Sequence, residues 1–94
     1  MSLDNYREQI DKIDDELLRL FTERMAVSRQ VALYKKEHGL PVFNADRERE
    51  VLSAAEEKTG EELQQYAIKL YTAILEISRE YQEKILTGNE RHSL

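Results

Sequence analysis

The chain has no cysteine, one proline and three glycines in 94 residues, and each shortage closes off a kind of protein. Without cysteine there is neither a disulfide framework nor a thiolate metal site, which agrees with a reducing compartment and leads us to expect a cytoplasmic protein. So little Gly and Pro, beside long stretches of 3.6-residue periodicity, leaves no place for the turns of a sheet protein or for low-complexity sequence. No membrane-length apolar run or secretory signal is visible, so no membrane partner is expected. Positive charge is also scarce: 14 Lys and Arg against 19 Asp and Glu give a formal net charge of -5. That balance argues against nucleic acid as a partner, because phosphate binding draws on a basic surface.

What is present is one small domain over residues 1–94, 40% hydrophobic and 35% charged, with an expected ordered core over about 4–86 and a polar, frayed tail over 87–94. The expected fold is all-α, three helices with a very long first one. Asp4 is a candidate N-cap, and apolar residues recur at helical spacing from Ile10 to Tyr34, so the first helix is expected over about Asp4 to His38. Gly39 stands just past its end and Pro41 prevents continuation, making 39–43 a connector. Asn44 can cap a second helix with Val51, Leu52 and Ala55 as its inner face, ending near Thr59 and Gly60. The third helix is expected from Glu61, burying Leu63, Ala67, Leu70, Ile74, Ile77, Tyr81 and Ile85.

Arg24 and Lys35 interrupt this pattern. At about 100° per residue, Ile10, Ile13, Leu17, Leu20, Arg24, Val31 and Lys35 lie within about 40° of one line along the first helix. Two cations thus occupy a stripe expected to be buried. Removing a charge from water costs several kcal/mol unless something pairs with it, and an anionic ligand between helices is one way to resolve the conflict. Taken singly, such residues are more often snorkelling side chains or halves of ion pairs; together they favour a site. Ser78 and Gln82, four apart on the third helix, can point into one space. Arg47 and Glu48 sit in the first turn of the second helix, and Arg7 lies at the edge of the stripe. Three Arg, one Lys, an amide and a hydroxyl suit a small ligand with more than one carboxylate. The two histidines, His38 and His92, fall beside the connector and in the tail, and the acids form no spaced pair on one face. No metal or cofactor is therefore expected, and covalent or paired-carboxylate chemistry is hard to build.

A helix of that length spans roughly 52 Å, whereas a compact chain of this size spans about 35 Å. The first helix should therefore outrun its own core and need a second surface, which predicts a homodimer with paired or exchanged long helices. The alternative is a break near Arg24 to Ser28 that folds the helix back into a monomeric bundle.

The run Arg7-Glu8-Gln9-Ile10-Asp11-Lys12-Ile13-Asp14, then Glu23-Arg24-Met25, Val31-Ala32-Leu33-Tyr34-Lys35, Pro41-Val42, Asp46-Arg47-Glu48 and Ser78-Arg79-Glu80-Tyr81-Gln82 resembles, in order and spacing, the all-helical class of chorismate mutase. The resemblance covers about residues 4–86. It implies an intertwined helical dimer with two pockets, each completed by the other chain, and conversion of chorismate to prephenate without a cofactor. It further implies that Arg24, with Arg7 of the partner chain, holds the substrate carboxylates, supported by Arg47. Lys35 and Gln82 would donate to the ether oxygen, Glu48 accept from the hydroxyl, and Ser78 position a carboxylate. Asn44 stands at the hydroxyl end where similar sequences often carry Asp; its amide can still hydrogen-bond there. Two rivals remain: an isochorismate-pyruvate lyase using the same electrostatics, and a non-catalytic helical dimerisation module. The second explains the long helix but not two cations matched by polar residues elsewhere.

Overall fold

The computed structural model describes residues 2–88; His92 and most of the expected polar tail lie outside the described residues. The order is α1 (Leu3–His38), α2 (Ala45–Lys58), a 3-10 turn (Glu61–Leu63) and α3 (Gln64–Leu86). All regular structure among the described residues is helical.

The boundaries follow from local chemistry. The cap of α1 is Ser2 rather than Asp4: Ser2 is extended, and its Oγ accepts the Asn5 N–H at 3.2 Å. Asp4 falls instead in the first turn, where its charge opposes the positive end of the helix dipole. At the other end Gly39 takes φ 64° and ψ 31°, a left-handed conformation that glycine adopts without a Cβ penalty, and the Leu40 N–H closes the end on the Lys35 carbonyl at 2.8 Å. Asn44 caps α2 as expected, its Oδ1 accepting the Arg47 N–H at 3.0 Å. The third helix begins differently from expectation. Glu61–Leu63 forms a 3-10 turn closed by the Leu63 N–H on the Gly60 carbonyl at 2.8 Å, and the α-helix starts at Gln64. With no side chain capping that end, the tighter i to i+3 bond satisfies the free donor.

α3 packs on both α1 and α2, which do not pack on each other. The interior is correspondingly thin: Ala32, Val42, Leu75 and Ile85 are its buried apolar residues, and Ser28, Ser78 and Gln82 are buried with them. The buried line of α3 is thus Leu75-Ser78-Gln82-Ile85, at the spacing of one helix face. Of the α3 face expected to be buried, Ile85 is, but Leu63, Leu70 and Ile77 are 53%, 55% and 40% exposed. The apolar arc of α3 is wider than the chain's own helices cover.

The same holds for α1. Ile10, Ile13, Leu17 and Leu20, expected to be buried, are 50–58% exposed, whereas Ser28 and Ala32 are the buried residues of this helix. α1 runs unbroken through Arg24 and Ser28, which excludes the folded-back bundle. Its 36 residues make a rod of about 54 Å. The molecule measures 54 × 34 × 15 Å with a radius of gyration of 16.5 Å, against about 12 to 13 Å for a compact chain of this length. The first twenty residues of α1 project past the packed part and leave an apolar stripe uncovered.

Candidate active site

Where α1, α2 and α3 converge they enclose an open cavity of about 320 Å³. Helix α1 supplies Arg24, Ser28 and Lys35 from one face, since offsets of four and eleven residues return to nearly the same direction. α3 contributes Ser78, Arg79 and Gln82, and the start of α2 contributes Asn44, Arg47 and Glu48. Val27, Val31, Val51 and Leu75 form its apolar wall.

The polar side chains form one connected set. Lys35 Nζ donates to the Val42 carbonyl at 2.8 Å and to Gln82 Oε1 at 3.2 Å. Gln82 Nε2 donates to Ser28 Oγ at 3.0 Å, Ser28 and Ser78 share a hydrogen bond of 2.8 Å, and Arg24 Nη1 donates to Ser78 Oγ at 3.4 Å. Across the cavity Arg79 Nη1 lies 2.5 and 2.6 Å from the two Glu48 oxygens, and its guanidinium carbon stands 5.7 Å from the Phe43 ring centre. No buried side-chain nitrogen or oxygen among the described residues is left without a partner, so the set is held in place without a ligand. Donor capacity remains: an ammonium has three hydrogens and a primary amide two, so Lys35 and Gln82 each keep one to offer.

Seven of the eight residues singled out in the sequence, Arg24, Lys35, Asn44, Arg47, Glu48, Ser78 and Gln82, line this one cavity. Arg47 is turned partly outward, reaching Glu50 at 3.4 Å with a side chain 69% exposed. Asn44 spends its carbonyl oxygen on the α2 cap and has its NH₂ left for other partners. Arg7 is not in the cavity; seventeen residues before Arg24 on a continuous helix, it stands about 25 Å along the axis from it. Three further groups belong to the site besides the residues expected from the sequence: Ser28, Arg79 and the Val42 carbonyl. Ser28 had a legible signal, four residues after Arg24 and seven before Lys35. Arg79 lies off the buried line of α3 and reaches Glu48 through its length, and a backbone carbonyl leaves no trace in residue type.

A second groove of about 510 Å³ shares Arg24, Arg47 and Val51 with the cavity and continues over Ala54, Ala55, Ala67, Leu70 and Tyr71. No helix among the described residues is long and apolar enough to cross a membrane.

Three helices around a cavity that presents mostly cations and neutral donors form a concave helical site whose chemistry suits a small anion carrying several acceptor oxygens. The chain belongs to the chorismate mutase type II family, whose model matches residues 6–83. It is 40% identical over 53 residues to the T-protein of Haemophilus influenzae, covering 56% of this chain and 14% of that one. It is 39% identical over 49 residues to the bifunctional chorismate mutase/prephenate dehydratase of Aquifex aeolicus, covering 52% and 14%. The chorismate mutase of Methanocaldococcus jannaschii is 27% identical over 82 residues, 85% of this chain and 83% of that protein. The matched stretch thus spans about a seventh of each of the first two relatives and most of the third. No solved structure matches the chain.

Proposed function

We propose that the protein is a homodimeric isomerase that converts chorismate to prephenate, with Arg7 of one protomer completing the cavity of the other. The observation that carries this reading is the convergence of Arg24, Lys35, Ser78 and Gln82 on one cavity, joined by hydrogen bonds that leave donors unspent. In the rearrangement one C–O bond breaks as one C–C bond forms within a single molecule, so neither a nucleophile nor a proton transfer is needed. Arg24 and the partner's Arg7 hold the two carboxylates and Arg47 adds to the cationic wall, keeping the side chain of the substrate over its ring. Lys35 and Gln82 donate to the ether oxygen, whose negative charge grows toward the transition state, and preorganised donors lower the barrier without rearranging. Glu48, held by Arg79, accepts from the ring hydroxyl, with the Asn44 NH₂ beside it.

The dimer is supported by what one protomer leaves uncovered: Ile10, Ile13, Leu17 and Leu20 on α1, Leu63 in the 3-10 turn, and Leu70 and Ile77 on α3. The groove over Ala54, Ala67 and Leu70 adjoins the cavity through Arg24 and Arg47. In this reading the projecting α1 of a second copy lies along that groove and brings its Arg7 to the open side of the site. To test the activity, purified protein is mixed with chorismate, the loss of its ultraviolet absorbance is followed, and the product is identified by acid conversion to phenylpyruvate. Prephenate should form, and Arg24→Ala should abolish it. A folded dimer that leaves chorismate untouched would reject the mutase; release of pyruvate from isochorismate would point to the lyase, and inertness toward both to a dimerisation module.

A further inference from the structure

Lys35 can only donate, so the Gln82 atom 3.2 Å from its ammonium is the amide oxygen. That fixes the amide with Nε2 toward Ser28 Oγ at 3.0 Å, and Ser28 must accept there. Ser28 is 5% exposed, and its one remaining neighbour for a hydrogen bond among the described residues is Ser78 Oγ, at 2.8 Å. If Ser78 donated to it, Ser28 would accept twice and its own hydrogen would stay buried without an acceptor, at a cost comparable to a lost hydrogen bond. The satisfied arrangement runs the other way. Lys35 donates to Gln82, Gln82 to Ser28 and Ser28 to Ser78, while Arg24 also donates to Ser78, at 3.4 Å. Ser78, doubly accepting, then keeps its own hydrogen, and it lines the cavity.

We propose that Ser28 is a positioning residue: its hydroxyl holds the Gln82 amide with a free N–H toward the cavity and leaves the Ser78 hydroxyl proton available to the ligand. The inference deepens the reading of the cavity as a chorismate site and rests on it for its kinetic consequence. It makes this wall of the cavity a donor from end to end, suited to a ligand that presents only acceptors there, such as ether and carboxylate oxygens. Ser28 does not touch the reacting atoms; it acts through Gln82 and Ser78.

The test reads orientation and rate separately. In NMR spectra the Gln82 side-chain amide pair is identified by its absence from Gln82→Ala. In Ser28→Ala that pair should shift and exchange faster with solvent. The same variant should lose about tenfold in kcat for chorismate, the scale of one misdirected hydrogen bond. Most of that loss should vanish when Ser28→Ala is made in a Gln82→Ala background, because the amide it orients is gone. Unchanged amide resonances, or an equal kcat loss in the Gln82→Ala background, would overturn the proposal. A wild-type protein inert toward chorismate would reject the mutase reading instead, and the amide resonances would still decide which way Gln82 faces.

Discussion

Lys35 spends two hydrogens on Val42 and Gln82 and keeps the third, the one that its proposed role at the ether oxygen uses. Removing a preorganised donor of this kind lowers turnover by about two to three orders of magnitude. Lys35→Ala should do so with its helix content intact, and a near-wild-type kcat would rule out a role at the ether oxygen. The Arg79 and Glu48 pair is a different case. Its side chains are 36% and 20% exposed, so solvent screening limits it to about 1 kcal/mol of stability. Arg79→Met and Glu48→Gln should each lose about that much in urea denaturation, and the double variant little more than either alone; additive losses would show that the two act independently. At this scale the sequence was readable where a residue type contradicts its position. Arg24 and Lys35 stood out because cations lay on an apolar line. Ser28 contradicts nothing by its residue type and is marked only by its spacing from Arg24 and Lys35, and Arg79 did not stand out because its place depends on a partner on another helix.

Helix ends were legible to within a few residues because they are decided locally. Gly39 and Asn44 do what their side chains dictate; Ser2 took the cap from Asp4, two residues later, because both are good caps and Asp4 is well placed in the first turn. Faces were less legible, because burial of Leu63, Leu70 and Ile77 depends on what another element brings. Asn44 serves both scales, capping α2 and lining the cavity. Asp is as good an N-cap as Asn, whereas Ala loses about 1 kcal/mol. Asn44→Asp should therefore keep the urea midpoint while changing KM for chorismate, and Asn44→Ala should lower both midpoint and activity. A stable Asn44→Ala would mean that the cap is dispensable.

For the whole molecule, the separation of Arg7 from Arg24 makes a direct test of shared sites possible. Arg7→Ala and Arg24→Ala should each be inactive alone, in opposite halves of the proposed shared site. Unfolded, mixed one to one and refolded, they should recover about a quarter of wild-type activity, because half the dimers are mixed and each of those has one intact site. No recovery, or an active Arg7→Ala, would place the site within one chain. The expectation of a projecting helix came from length alone, and the 54 Å extent agrees with it; what covers that helix depends on a second surface that one chain's sequence only implies.

The uncovered half of α1 also has a consequence for dilution. A helix whose apolar stripe is covered by a second copy has little to hold it when that copy leaves, so folding and association become one equilibrium. The melting temperature should then rise with protein concentration. Specific activity per chain should fall as the protein is diluted through its dissociation constant, and inactive Arg24→Ala protein added at a concentration near that constant should slow the fall per wild-type chain by supplying α1.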